Sequence, residues 1–222
     1  MKKPLNLYVV RHGQTYFNLF KRFQGWSDIE LTENGKSDGI KAGTRLANID
    51  FANVYSSDLS RAYDTAKFIL QENNFASSQT PEKLRDFREV FFGSFEGLPS
   101  DETIYKIDPE ITENRAYDAI INKYGSDEVL DLMKEKDPFH LAENASEVWE
   151  RVNRGINYIK DKNSDGGNIL LVVHGTIIRG FGAKYGKKEL STSPIGNGAI
   201  SKFIVKDNDI IIDTFNDLKT IW

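Results

Sequence analysis

The 222-residue chain has no cysteine, which removes disulfides, a thiolate nucleophile and Cys-ligated zinc or iron–sulfur sites from consideration. It has no apolar run near the ~20 residues that a membrane helix needs. The start, Met1-Lys2-Lys3, is basic, but the apolar stretch after it is short and runs into Arg11, so it does not read as a secretory leader. A reducing cytoplasm is the expected compartment, with no membrane partner. Positive charge is not in excess either: the net charge is −4 and the pI about 5.5, which argues against a nucleic-acid partner. Histidine is scarce, with only His12, His140 and His174, so the placement of each carries weight.

What remains is ordinary for a folded protein: 39% hydrophobic and 28% charged residues, enough for one domain spanning 1–222. Leu7-Tyr8-Val9-Val10 ends at Arg11-His12-Gly13, and Ile169-Leu170-Leu171-Val172-Val173 ends at His174-Gly175. Continuous apolar runs of this kind predict buried strands of a parallel sheet. Helices are expected over 35–46, where Gly39 and Gly43 weaken the pattern, and after Ser57, read as an N-cap before Ala62, Ala66, Ile69 and Leu70. A further helix follows Ser146, with Trp149, Val152, Ile156 and Ile159 on one face and Glu147 in its first turn. Strands alternating with helices predict a three-layer α/β/α fold with a mostly parallel central sheet. The runs 199–205 and 210–215, flanking Asp207-Asn208, predict an antiparallel C-terminal edge hairpin.

The segment 98–140 differs from its surroundings. It carries 11 acidic and 5 basic residues, a net of −6, and contains Pro99, Pro109 and Pro138. Two short helices are expected in it, over 112–124 and 126–133. It reads as a helical insertion capping the active site and not as a second domain, because it offers too little apolar surface to fold alone.

Ligands of open α/β sheets sit beyond the carboxyl ends of the strands, where His12 and His174 fall. Each is followed by a glycine, Gly13 and Gly175, which lets backbone approach a ligand closely. If the two strands are neighbours, the imidazoles converge. Arg11 and Arg61, the latter near a helix start after Val54-Tyr55-Ser56, add two guanidiniums, and this set suits a dianion such as phosphate. Taken alone, Arg11-His12-Gly13 is a weak motif, and a lone His at a strand end is more often a hydrogen-bonded surface or core residue. A metal site is disfavoured, since neither His has a carboxylate or third His at ligand spacing. His140 is expected to have no role, and Trp26 to serve packing. Asp86, Glu89 and Glu96 are neighbouring carboxylates, and on these grounds any of them can be the acid.

The joint pattern is stronger than its parts. Arg11-His12-Gly13-Gln14-Thr15, Asn18, Arg22-Phe23-Gln24-Gly25-Trp26-Ser27-Asp28, Leu31-Thr32 and Gly35 occur in order. Val54-Tyr55-Ser56-Ser57-Asp58-Leu59-Ser60-Arg61-Ala62 with Thr65-Ala66 follows, then Arg88-Glu89-Val90-Phe91-Phe92-Gly93-Ser94-Phe95-Glu96-Gly97, and finally Val172-Val173-His174-Gly175 with Arg179. Together these blocks resemble the histidine phosphatase superfamily, the phosphoglycerate-mutase-like clan. The resemblance covers the first hundred residues and the stretch around His174, and leaves the insertion and the C-terminal hairpin unmatched.

The resemblance implies that His12 is the nucleophile that becomes phosphohistidine, and that Arg11, Arg61 and His174 form the phosphate pocket. It implies that Glu89 is the proton donor, that Asn18 contacts the transferred phosphate or substrate, and that Gln24 and Gly25 belong to a substrate-facing loop, with Gly175 beside His174. Glu96, in Phe95-Glu96-Gly97, is expected to be structural. A cationic His174 would neutralise phosphate oxygens together with the arginines, so no metal and no other cofactor is expected. The expected activity is a metal-independent phosphatase acting on a small phosphorylated metabolite. The Phe92–Gly97 stretch resembles the phosphatase branch, and the mutases of the clan carry a basic clamp where this chain has an acidic insertion, although Arg115 and Lys123 can point inward. A cofactor-dependent phosphoglycerate mutase is the alternative. A non-catalytic binding domain on the same fold is a second alternative.

Overall fold

The computed structural model describes residues 3–207 and 209–222. Met1 and Lys2 of the basic start, and Asn208 of the expected turn, lie outside the described residues. The sheet is built from β1 (Leu5–Arg11), β2 (Phe51–Ser56), β3 (Glu82–Lys83), β4 (Gly167–Val173), β5 (Ile200–Val205) and β6 (Ile210–Asp217), in the spatial order β3-β2-β4-β1-β5-β6. The first four run parallel, whereas β5 is antiparallel to both β1 and β6. The mostly parallel sheet and the antiparallel C-terminal edge are therefore as the sequence predicts.

The apolar runs of β1 and β4 are buried on both faces. Leu5, Leu7, Val9, Ile169, Leu171 and Val173 join one core cluster, while Tyr8, Val10, Leu170 and Val172 join another on the opposite face. The second cluster is covered by α2 (Glu33–Arg45) and α3 (Ser60–Gln71). The first is covered by α7 (Ala145–Lys162) and α8 (Gly175–Tyr185). Among the described residues, no helix is long and apolar enough to cross a membrane.

Gly39 and Gly43 do not break α2. They let it lie against α3, because a Cβ at Gly39 would stand 2.9 Å from Cβ of Phe68, and one at Gly43 would stand 2.8 Å from the Ile69 carbonyl. The start of α3 differs from expectation. Ser57 is not its cap: the Ser57 backbone N–H continues the sheet by donating to Val172, and its hydroxyl accepts the Leu59 N–H. The helix begins at Ser60, whose N–H and hydroxyl both donate to the carboxylate of Asp28, remote in sequence. At α7 the cap is local, a reciprocal pair of Asn144 and Glu147.

The insertion holds three helices where two are expected: α4 (Ser100–Ile107), α5 (Ala116–Tyr124) and α6 (Ser126–Lys136). The first lies where Pro99 precedes a short mixed segment. The second starts later than expected, at Ala116, because Arg115 is left-handed (φ 66°) and Asp101 accepts the Ala116 N–H. Ile104, Ile107, Ile120, Ile121, Val129, Leu130 and Met133 join the core cluster of β1 and β4, so the cap shares the domain's core. Its far end is fixed by Asp137, fully buried, which accepts N–H groups of Phe139, Leu141 and Ala142 and the Ser94 hydroxyl. These bonds hold its carboxyl down to about 2, against the opposing effect of burial.

Candidate active site

The parallel pairing of β1 with β4 sets Arg11 opposite Val173, and the next residue of each strand is a histidine. The His12 and His174 rings are accordingly neighbours, with centroids 5.1 Å apart and planes at 60°. His12 lines an open cleft of about 180 Å³ with Arg11, Asn18, Gln24, Glu89 and Gly175 among others, and His174 is fully buried beside it.

His12 is 3% exposed, and its Nδ1 lies 2.7 Å from the Gly13 carbonyl. A carbonyl only accepts, so Nδ1 is the protonated nitrogen and Nε2 keeps its lone pair. Burial, followed by the nearby Arg61 and Arg11 charges, lowers the His12 pKa well below the ordinary value, so the ring is neutral at physiological pH. His174 is also neutral in the free enzyme. Burial lowers its pKa well below normal, with Arg61 and His12 adding to the effect, so the expected imidazolium could belong only to a phosphate-bound state.

The surroundings are arranged for an anion. Both ring nitrogens of His174, Nε of Arg11 and Nε of Arg61 are buried without a hydrogen-bond partner among the described residues. Such groups normally cost about 1–3 kcal/mol each when left unpaired. Arg11 is oriented by a bond from Nη1 to the Ile195 carbonyl (2.5 Å), and its guanidinium packs on Gly175, where a Cβ would stand 3.2 Å from Nε. Arg61 is fully buried and donates to the carbonyls of Ser27 (3.0 Å) and Gly25 (2.7 Å). Burial lowers both arginine pKa values to about 10, which leaves them charged.

Among the three candidate carboxylates, position separates the roles. Asp86 faces outward to Arg154. Glu96 accepts four backbone N–H groups, from Gly25, Trp26, Ser27 and Phe92, and so holds the loop that in turn holds Arg61. Glu89 is 5% exposed and lines the cleft. Its carboxyl accepts the N–H of Thr176, at the start of α8, and that of Val90. Burial raises its pKa above the ordinary carboxylate value, opposed by those two N–H groups and by Arg61 and Arg11.

The remaining predicted residues take several positions. Asn18 lines the cleft and accepts from the Thr15 N–H and from Asn197. Gln24 lines it too, with its side-chain oxygen taken by the Thr15 hydroxyl. Gly25, expected in the substrate-facing loop, is buried and does not line the cleft: its N–H donates to Glu96 and its carbonyl accepts from Arg61. Arg115 pairs with Asp118, and Lys123 with Asp108 and Glu110, so neither cap cation lines the cleft. His140 is exposed, outside it. The cap instead presents Ser100 and Tyr117, and the cleft also holds Arg22 and Arg179. Both arginines fall within the sequence blocks above, where nothing local marks them as facing the cleft. Arg179 is engaged by Asp118 (2.5 Å) and by the Ser191 carbonyl.

Removing the Glu96 carboxylate, as Glu96→Ala, is expected to destabilise the fold by about 2–4 kcal/mol, since four N–H groups lose a charged acceptor. Urea unfolding measures this, and an unchanged midpoint would contradict the loop-holding role.

Comparison with known proteins gives the following. The model of the histidine phosphatase superfamily (branch 1) matches residues 7–218. A protein of Pelagibacter ubique (strain HTCC1062), described as a 2,3-bisphosphoglycerate-dependent phosphoglycerate mutase, is 33% identical over 193 residues, which are 78% of this chain and 77% of that protein. The crystal structure of phosphoglycerate mutase from Bacillus anthracis str. Sterne superposes with a TM-score of 0.87 at 30% identity, covering 98% and 95% of the two chains. The alpha-ribazole phosphatase from Shigella flexneri shares the fold, with a TM-score of 0.72 at 21% identity over 97% of this chain and 98% of its own.

Proposed function

The chain belongs to the histidine phosphatase superfamily (branch 1), and within it we propose a metal-independent phosphatase that hydrolyses a small phosphomonoester through a phosphohistidine at His12. The observation that carries this reading is the cluster of buried, unpartnered nitrogens of Arg11, Arg61 and His174 around a neutral His12. A phosphoryl group supplies the acceptors these donors lack and places phosphorus next to the nucleophile.

The chemistry follows from the positions. The Nε2 lone pair of His12 forms the N–P bond while the ester P–O bond breaks, and Glu89 transfers its proton to the leaving oxygen. Glu89, now ionised, takes a proton from a water whose oxygen attacks phosphorus. The N–P bond then breaks, phosphate leaves and both side chains return to their starting states. His174, whose pKa is lowered by burial and then by arginine charge, is pushed toward its protonated form by a dianion beside it.

Hydrolysis is favoured over isomerisation by what the cap presents to the cleft. Ser100 and Tyr117 are uncharged, Arg115 and Lys123 are paired elsewhere, and Arg179 is engaged by Asp118. A doubly phosphorylated acid would find little free charge from the cap. The mutase reading is kept open by the names of the relatives above, the Pelagibacter protein and the Bacillus structure.

The purified protein with 3-phosphoglycerate is expected to release phosphate faster than it forms the 2-isomer, with or without a bisphosphate primer. Primer-dependent isomerisation outrunning release would make it a mutase. Turnover of p-nitrophenyl phosphate in EDTA is expected between pH 5 and 8, and none from well-folded protein would leave a binding domain.

A further inference from the structure

Glu89 sits on backbone, residues 88–92, that belongs to neither helix nor strand. Its peptide groups therefore have no ladder partners, and buried peptide groups need partners from elsewhere. Arg151 of α7, 7% exposed, supplies those of the Arg88 and Glu89 carbonyls and also reaches back to Asp86. Nη1 donates to the carbonyls of Asp86 (3.0 Å) and Arg88 (2.7 Å), and Nη2 donates to that of Glu89 (3.0 Å). The other edge of the guanidinium pairs with Glu143, Nε to Oε1 at 2.7 Å and Nη2 to Oε2 at 2.8 Å. Glu143 in turn accepts the Phe91 N–H on Oε2, and its own N–H donates to the Phe91 carbonyl, both at 2.8 Å. Trp26 gives the Glu89 carbonyl a second donor through Nε1 (3.0 Å).

A guanidinium has five N–H groups in a fixed plane, and these contacts use all five. Three go to peptide carbonyls at or just before Glu89, and two to the carboxylate that fixes Phe91 just after it. Neither Arg151 nor Glu143 lines the cleft. Their opposite charges are joined, so their influence on the acid is mainly through placement.

We propose that Arg151 and Glu143 are positioning residues for the proton donor: a paired clamp that replaces secondary structure and aims the Glu89 carboxyl into the cleft. The proposal rests on the reading of Glu89 as the donor. A lysine cannot substitute at Arg151, because three donors on one nitrogen cannot reach separate carbonyls and a carboxylate together.

The test uses 3-phosphoglycerate as an alkyl ester and p-nitrophenyl phosphate as an aryl ester, whose leaving group needs little protonation. Arg151→Met is expected to lower kcat on the alkyl ester about 100-fold, the scale of an ångström of misplacement. Its kcat on the aryl ester should fall less than about 3-fold, KM should hold, and Arg151→Lys should behave like Arg151→Met. In a Glu89→Gln background the same change is expected to add nothing, because the group being aimed is gone. Equal loss on both esters, or additive loss in the double variant, would overturn the proposal. If Arg151→Met shows no cooperative unfolding transition, Glu143→Gln carries the test, with an expected alkyl loss of about 10-fold and the aryl rate again spared. Absence of an ester preference in Glu89→Gln alone would instead overturn the donor reading, and is visible separately.

Discussion

His12→Ala is expected to lower kcat by on the order of 10⁵-fold or more, the cost of deleting a nucleophile whose partners cannot act without it. The expectation follows from the surroundings of the ring. His12 is buried between Arg11 and Arg61, with its protonated nitrogen fixed on the Gly13 carbonyl and the other left to react. Gln24 and Asn18 also line the cleft, but an amide nitrogen is a poor nucleophile toward phosphorus. The variant should remain folded, because β1 is held by backbone pairing on both sides. Acid-labile phosphoprotein, trapped by quenching the wild-type enzyme during turnover, should be absent from it. Normal turnover in this variant would end the covalent mechanism.

Glu89→Gln is the second large effect, with an expected loss of about 10³-fold on alkyl phosphates and under about 10-fold on aryl phosphates. The substitution keeps the size of the side chain and an oxygen for the Thr176 N–H, at the cost of the local bond from the Val90 N–H, so the cleft should keep its shape while the transferable proton is lost. The pH profile of kcat/KM supplies an independent readout. A raised carboxyl pKa keeps Glu89 protonated to higher pH than a free glutamate, so the alkyl rate falls as pH rises through that value. A lowered imidazole pKa keeps His12 neutral to lower pH than a free histidine, so the acid limb lies below 6.5. The site thus shifts an acid up and a base down, and each shift enlarges the share of molecules that hold a protonated Glu89 together with a neutral His12. In Glu89→Gln the alkaline limb should vanish and the acid limb remain. An alkaline limb of unchanged shape would assign the proton to another group.

Much of this was legible in the chain because the information is local. The apolar runs of β1 and β4 declare themselves as strands, and a histidine directly after each declares the end of the sheet where ligands bind. The antiparallel edge and α7 were equally visible from periodicity. What stayed hidden depends on contacts across the fold. Asp28 caps a helix that begins at Ser60, so a search for a neighbouring cap stops at Ser57. Glu96 and Glu89 differ only in what surrounds them: four peptide N–H groups for one, and the cleft for the other. Arg151 looks like one more polar residue of an amphipathic helix, since nothing in its neighbourhood records that its partners lie at Asp86, Arg88 and Glu89. The neutral state of His174 before an anion arrives is hidden for the same reason, because burial among arginines is a three-dimensional fact.

The register that sets Arg11 against Val173 also fixes when, during folding, His12 and His174 become neighbours. Synthesis delivers β1 and His12 well before the partner strand, which arrives only after the cap and α7 have been made. Until β4 inserts between β1 and β2, the nascent chain has a reactive imidazole and no cradle for the phosphoryl group. Pairings this distant in sequence form late. A chain cut short of β4 should therefore be chemically inert and not partly active. The cap is made in between and contributes no strand to that pairing, so the placing of the two histidines and the shaping of the cleft above them are written in separate stretches of the chain.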